Sequence, residues 1–268
     1  MLRGGCTVAF SLSTLQYPRM LKHERFHHIL DRLRLDGQVQ LLPLSQALGV
    51  SEDTVRRDIE ELARQGLLTR IRGGAVVPSP VPNAYQAREQ HDAAAKQDIA
   101  RKAASLIGDG QMVILDGGTT VGWLARQLPA VRQLRVATNS LPAATSLLDQ
   151  PGVEVRMAGG RVHAPYRVNL GVEAVDFFRQ LRADWCFLGA YGLHPLAGLT
   201  VADADEAAVK RAMVRASSHV VALITPEKLG TAASHVVCEA GALHTLVTAG
   251  SVPEPVLAEY RKLGVRIL

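Results

Sequence analysis

The run Asp116-Gly117-Gly118-Thr119-Thr120 carries the residue types that hold an anion. Glycines let a backbone come close to a ligand. The free N–H groups at a helix start attract negative charge, and threonine hydroxyls add donors. The run follows the apolar stretch Met112–Leu115 and opens a helical pattern through Leu124, Ala125 and Leu128. That setting fits a phosphate cradle; an ordinary strand-to-helix turn with threonine caps fits the same residues. Thr138-Asn139-Ser140 is a second polar strand end, and Gly159-Gly160 a third. Ligands of open α/β sheets sit at the carboxyl ends of strands, so successive polar ends point to one pocket. Lys96, Lys210 and Lys228 offer charge to a phosphate, although each lysine taken alone also suits a solvated surface.

Other chemistries find less support. Thr119 stands at the second glycine of a GxGxxG pattern, no acid follows the strand ending at Thr138, and GxxxxGK[ST] is absent. Asp116, Asp203, Asp205 and Glu206 could serve as carboxylate bases of an isomerase, but no pair has a spacing that compels that role. Acids at 203, 205 and 206 also suit a helix N-terminus, where the dipole favours negative charge. His23-Glu24-Arg25-Phe26-His27 matches HExxH, yet nothing clear supplies a third ligand or a cleft. The bland reading is a solvated helix face, and no metal or cofactor is assigned.

A second constellation lies near the amino end. Ser51 is a good helix N-cap, and Glu52 and Asp53 place negative charge at the positive end of the helix. If Val55, Ile59 and Leu62 face inward, Thr54 and Arg57 share another stripe with Arg56 beside them. Recognition helices read bases with their first turns in the major groove. Arginine suits guanine there, and threonine suits a thymine methyl or a phosphate. Arg70 and Arg72 lie on a following hairpin, and no acid occurs between Arg64 and Arg88. These arginines suit phosphates or a minor groove. A solvated face with i,i+4 ion pairs, or a protein-binding module, would use the same residues.

The elements that must position these groups follow from periodicity. Phe26, Ile29, Leu30 and Leu33 recur at spacings of three and four, which predicts a helix from Lys22 to Asp36 closed by Gly37. Val39 and Leu41 predict a short extended piece. Pro43 opens a second helix with Leu44, Ala47 and Leu48 inward. The third helix runs from Ser51 to Gly66, and residues 67–74 form a wing hairpin with a Gly73-Gly74 turn. Pro78, Pro80 and Pro82 mark a stiff linker. Beyond it, a helix near 91–108 precedes strands at Met112–Asp116, Leu134–Thr138, Val153–Met157, Trp185–Leu188, Val220–Ile224, Thr245–Val247 and Val265–Leu268. Alternation with helices predicts a parallel α/β sheet covered on both faces.

The 268 residues suit two domains, and 47% apolar content supplies their cores. Aromatics reach only 4%, so Ala, Val and Leu must do the packing. A net charge of +5 permits nucleic-acid binding without establishing it. Cys6, Cys186 and Cys238 are odd in number and widely spaced, which argues against a disulfide framework or a zinc ribbon. No apolar run is long enough for a bilayer, and residues 1–19 make a poor secretory signal, so a cytoplasmic location is expected. The expected division is a disordered extension or misassigned start at 1–19, a winged helix-turn-helix at 20–77, a Pro-rich linker at 78–90 and an α/β domain at 91–268.

Glu24-Arg25, Ile29-Leu30, the string from Leu44 to Ile59 with Val50-Ser51-Glu52-Asp53-Thr54-Val55-Arg56-Arg57-Asp58-Ile59, Gln65-Gly66-Leu67-Leu68 and Arg70-Ile71-Arg72-Gly73-Gly74-Ala75 together resemble the DeoR/GlpR regulators. The second half resembles that family's effector domain, related in fold to ribose-5-phosphate isomerase and the CoA transferases. Its matching residues are Arg88, Lys96-x-x-Ile99-Ala100, Asp116–Thr120, Thr138-Asn139-Ser140, Gly159-Gly160, Leu170-Gly171, Ala183-Asp184, Glu206-Ala207 with Lys210, and Glu227-Lys228-Leu229-Gly230. Where the family often has D-x-x-K-x-G, this chain has Thr225, so a carboxylate that would accept sugar hydroxyl protons is missing. The resemblance implies a repressor of carbohydrate-metabolism genes that binds double-stranded operator DNA and is released by a phosphorylated sugar. It also implies a homodimer or homotetramer, with Arg88 joining the effector-binding residues. An isomerase carrying an appended winged helix is the rival reading.

Overall fold

A computed structural model describes residues 20–82, 84–250 and 252–268. The expectation for residues 1–19 lies outside the described residues. The amino-terminal unit contains α1 (Lys22–Asp36), β1 (Gln38–Gln40), α2 (Leu41–Leu48), α3 (Glu52–Arg64), β2 (Thr69–Ile71) and β3 (Gly74–Val76). Ile29 and Leu33 of α1, Leu44 and Leu48 of α2, and Val55, Ile59 and Leu62 of α3 are buried against one another, with Leu68 and Ala75 below. Each of the buried Leu, Ile and Val side chains contributes about 1.5–3 kcal/mol on burial. β1, β3 and β2 form an antiparallel sheet in that order, so the extended piece before α2 is an outer strand of the wing.

Two expectations for this unit are corrected. Helix α2 begins at Leu41 rather than Pro43, because β1 ends at Gln40 and Pro43 needs no hydrogen bond in a first turn. Its inner face is Leu44, Ser45 and Leu48, while Ala47 is exposed. Ser45 tolerates burial because its hydroxyl donates to Leu42 O at 2.8 Å.

The second unit opens with α4 (Tyr85–Gln90) and α5 (Ala93–Ala104). There follow β4 (Met112–Leu115), α6 (Thr119–Arg126), β5 (Leu134–Thr138), α7 (Leu141–Leu147) and β6 (Val153–Met157). A hairpin of β7 (Arg161–His163) and β8 (Val168–Leu170) leads to α8 (Val172–Arg179) and β9 (Ala183–Leu188). Then come β10 (Gly192–His194), β11 (Gly198–Val201), α9 (Ala204–Arg215), β12 (Ser217–Leu223), β13 (His235–Cys238), β14 (Thr245–Val247), α10 (Glu254–Lys262) and β15 (Arg266–Ile267). Seven strands form one parallel sheet in the order β15-β14-β12-β9-β4-β5-β6. Its two faces carry separate apolar clusters, one around Phe178, Leu188 and Met213, the other around Leu115, Leu124 and Val221. This is the parallel α/β layer predicted from the strand–helix alternation.

The small antiparallel sheet β10-β11-β13 and the β7-β8 hairpin are additions to that prediction. The proline-rich spacer also holds more structure than a tether. Pro78 bridges to Ala232, Val81 is buried, and Tyr85 begins α4 with its ring buried.

Candidate nucleic-acid interface and effector cavity

Ser51 caps α3 by accepting from Thr54 N at 3.2 Å, and its Oγ lies 2.9 Å from Thr54 Oγ1. The cap fixes the first turn of the helix, the part that carries the exposed arginines. Arg56 and Arg57 are both exposed. Arg57 is held by Asp53 one turn earlier at 2.7 Å. Arg70 on β2 reaches back to Glu60 of α3 at 3.0 Å. Arg72 is exposed at the wing turn beside Gly73. Ser51, Thr54, Arg56, Arg57, Arg70 and Arg72 are thus carried by helix α3 and the wing that packs on it.

Asp58 stands apart from its charged neighbours. Its carboxylate is buried and takes two hydrogen bonds from Arg25 of α1, at 2.6 and 3.1 Å. The Arg56-Arg57-Asp58 string therefore divides into two outward cations and one inward anchor. On α1, Glu24 caps the helix by accepting from Leu21 N at 2.7 Å, which accounts for the acid of the HExxH match. No cluster of three or more metal-ligating side chains occurs among the described residues.

The second site lies at the carboxyl ends of β4 and β9. Arg88, Gly117, Gly118, Thr119, Thr120, Gly189, Ala190, Tyr191, Glu206, Lys210 and Lys228 line one small cavity. Gly118 takes φ of 117°, which suits glycine, and turns the chain into α6. A Cβ on Gly117 would collide with Val168. The open N-terminus of α6 faces this cavity with Thr119 and Thr120 nearly buried beside it.

The cations divide into two kinds. Lys210 is buried, forms an ion pair with Asp116, lies 3.3 Å from Glu206, and donates to Gly189 O at 3.1 Å. Asp116 also accepts from Gly189 N at 2.9 Å. Burial pulls the Lys210 ammonium down, but Asp116 and Glu206 outweigh it and hold its pKa above the ordinary lysine value. Lys228 is the opposite case. It donates to Ala190 O at 3.0 Å. Burial first, then the nearby Arg88 charge, lowers its pKa to about 7 against a partial counterweight from Glu227. Arg88 lies with its guanidinium 5.5 Å from the centre of the Tyr166 ring, and its Nε finds no acceptor among the described residues. An anion entering the cavity would meet a helix N-terminus, Arg88 and Lys228.

Five expected effector residues do not line this cavity, and Asp116, paired with Lys210 behind it, is one of them. Lys96 is buried and donates to Arg88 O and His91 O, clamping the corner between α4 and α5. Thr138 Oγ1 accepts from Ser140 N, and Ser140 Oγ caps α7 through Ala143 N. Asn139 donates to Asn169 O at 3.0 Å, tying the β5 end to β8. Lys96, Thr138, Ser140 and the Asn139 amide nitrogen are engaged with backbone groups and position the strand ends, while Asn139 Oδ1 is buried with no hydrogen-bond partner among the described residues. Conversely, Tyr191 and the Gly189-Ala190 backbone enter the lining unforeseen, because the chain after β9 has no strand or helix periodicity to mark it. Glu206, weighed as a base or a helix-terminal acid and grouped with Lys210 by the resemblance, lies 3.3 Å from Lys210 and supports it. Asp203 caps α9 through Glu206 N at 2.9 Å, and Asp205 pairs with Arg161 at 3.1 Å on the surface. Thr225 is fully buried and donates to Glu227 Oε1 at 2.6 Å.

Two family models match the chain. Residues 25–81 match the DeoR-like helix-turn-helix domain, and residues 91–249 match the DeoR C terminal sensor domain. The HTH-type transcriptional repressor GlcR of Bacillus subtilis is 34% identical, over 85% of this chain and 89% of its own. The glycerol-3-phosphate regulon repressor of Escherichia coli K12 is 33% identical, over 79% of this chain and 84% of its own. A solved D-ribose-5-phosphate isomerase in complex with phospho-erythronic acid is 14% identical over 50% of this chain and 52% of that one, with a TM-score of 0.37. That last likeness is too slight to carry an argument. The chain belongs to the DeoR family of transcriptional regulators, with an amino-terminal helix-turn-helix and a carboxyl-terminal sensor domain.

Proposed function

We propose that the protein represses genes of carbohydrate metabolism by binding a double-stranded operator, and that a phosphorylated sugar in the Arg88–Lys228 cavity releases it. The observation that carries the effector half is the joining of a helix N-terminus to two cations that lack a carboxylate partner of their own. Such a site favours a phosphate. The DNA half rests on the capped first turn of α3: Arg56, Arg57 and Thr54 suit the major groove, and Arg70 and Arg72 of the wing suit phosphates or a minor groove. In this reading the chain senses and does not catalyse: Asp116 is tied to Lys210 and Gly189, and Asp203 is engaged as a cap.

A ligand shifts an equilibrium only through different affinity for two states. The chain offers a short route for such a difference. Wing strand β3 leads through Pro78, bridged to Ala232, and Val81, held by Tyr191, to α4 and Arg88. Arg88 and Tyr191 both line the cavity, so a ligand there bears on the segment leading from the wing.

Fluorescence anisotropy tests the proposal, using DNA from upstream of the protein's own gene, a scrambled duplex at the same salt, and a panel of sugar phosphates. Preference for the upstream DNA, weakened by one compound, is expected. Equal weak binding to both duplexes at every operator candidate, with measurable turnover of a sugar phosphate, would replace it with the isomerase reading.

A further inference from the structure

The two edges of the seven-stranded sheet differ. β15 has two residues, too short to template another strand. β6 has five, Val153 to Met157, and pairs only with β5 among the described residues. Leu134 N donates to Gly152 O and Ala158 N donates to Thr138 O, so the even-numbered residues of β6 turn their backbone groups toward β5. The odd-numbered residues Val153, Val155 and Met157 therefore turn theirs outward. An unpaired row of this length invites another strand.

We infer that β6 is a docking edge for a second copy of this chain, pairing antiparallel about a two-fold axis through Val155. In that register Val155 meets its own counterpart, and Val153 meets Met157 of the other copy. These are the residues with outward backbone groups, so each of the three pairs exchanges both hydrogen bonds. Glu154 then falls opposite the other copy's Arg156, and Arg156 opposite its Glu154. They occupy the non-hydrogen-bonded positions, where side chains approach most closely. Both are well exposed and 3.7 Å apart in the single chain. The charge pattern is its own complement only in this register. A shift of one residue would oppose backbone groups already engaged with β5. On the other face, half-buried Val153 and Val155 and the 37%-exposed Met157 make an apolar strip that pairing would cover.

The proposal goes beyond the DNA reading and does not depend on it, so the test uses full-length protein without DNA. Sedimentation equilibrium compares wild type with Glu154→Arg, Arg156→Glu and the double exchange. Each single reversal places like charges opposite each other twice, and the molar mass is expected to halve. The double exchange restores opposite charges and is expected to restore the mass. A second measurement uses Val155→Cys, a mild change in volume, with wild type as the reference. Oxidation is expected to cross-link the variant into dimers, because paired antiparallel residues lie within disulfide reach. A monomeric wild type, single reversals that keep the wild-type mass, or a Val155→Cys variant that forms no more cross-link than wild type would overturn the proposal. Loss of DNA preference with the mass pattern intact would instead count against the operator reading alone.

Discussion

The Tyr191 hydroxyl donates to Val81 O at 2.7 Å, joining a side chain of the effector cavity to the segment that follows the wing. The bond crosses from one structural unit's cavity to the strand-side spacer of the other. It is a polar tie available to transmit a ligand's presence. Removing it by Tyr191→Phe keeps the ring and loses the donor. A neutral hydrogen bond of this kind contributes about 0.5–1.5 kcal/mol net. Operator affinity without ligand and ligand affinity without DNA are each expected to change little. The fold by which ligand weakens DNA binding should drop, by up to roughly tenfold. Unchanged coupling in a two-ligand titration would remove this bond from the route.

Arg56 and Arg57 should not respond alike to substitution. Arg57 already has Asp53 at 2.7 Å, whereas Arg56 has no acidic partner within salt-bridge distance among the described residues. Arg56→Ala is expected to cost about 1–3 kcal/mol of binding and to relax preference at one base pair. Arg57→Ala should cost less, since part of its charge is neutralised before DNA arrives. Operator variants scanned base by base distinguish the two. Equal and sequence-independent losses would mean that both arginines touch only phosphates.

Asp58 is predicted to matter for folding rather than for DNA. Its side chain is 4% exposed and that of Arg25 only 13%. Asp58→Ala would strand a nearly buried guanidinium, a change that typically costs about 3–5 kcal/mol. Urea unfolding should show the loss in the amino-terminal unit. A loss within a few tenths of a kcal/mol would show that water can replace the carboxylate.

Periodicity revealed the parallel sheet and the three helices because each carries a repeated apolar face. The β10-β11-β13 sheet escaped notice: β10 and β11 are buried at every residue, and so lack the alternation of a half-exposed strand. Location was legible at Gly117–Thr120, a run that does line the cavity, although Asp116 beside it is tied to Lys210 and Gly189. It was not legible at Thr138, Asn139, Ser140 and Lys96, whose residue types suit a ligand and a buried backbone group equally well. Only the folded chain shows which partner each one found. Asp58 makes the same point in reverse, for nothing in its neighbours Arg57 and Glu60 says that it faces inward.

Two adjacent wing glycines are predicted to fail for different reasons. Gly73 has φ of 82°, a left-handed conformation that strains other residues. Gly74 has an ordinary φ, but a Cβ there would collide with Val39 O of β1. Gly73→Asn should therefore be tolerated, since asparagine accepts left-handed geometry. Gly74→Ala should pry β1 from β3 and weaken DNA binding, while the sensor domain's thermal transition stays in place. Comparable behaviour of the two variants by circular dichroism and anisotropy would contradict this division.

Lys228 makes ligand binding depend on pH. Its pKa of about 7 means that the amine is mostly neutral at pH 8. An anion beside it favours the charged form and raises that value. Binding above pH 7 must then take up a proton, and affinity should fall by as much as about tenfold per pH unit. Sulfate is a suitable probe because its own charge is constant across this range. Calorimetry in buffers of different ionisation enthalpy should count the proton, and Lys228→Met should abolish both the uptake and the pH slope. The same group affects folding with a definite sign. Its folded pKa lies below the ordinary 10.5, so the unfolded chain binds more protons between about pH 7 and 10. Its contribution to stability is greatest above that window and is lost as pH falls through 7, where the ammonium must be buried with its charge. Lys228→Met should flatten that part of the stability profile. A slope that survives the substitution would place the proton on another group.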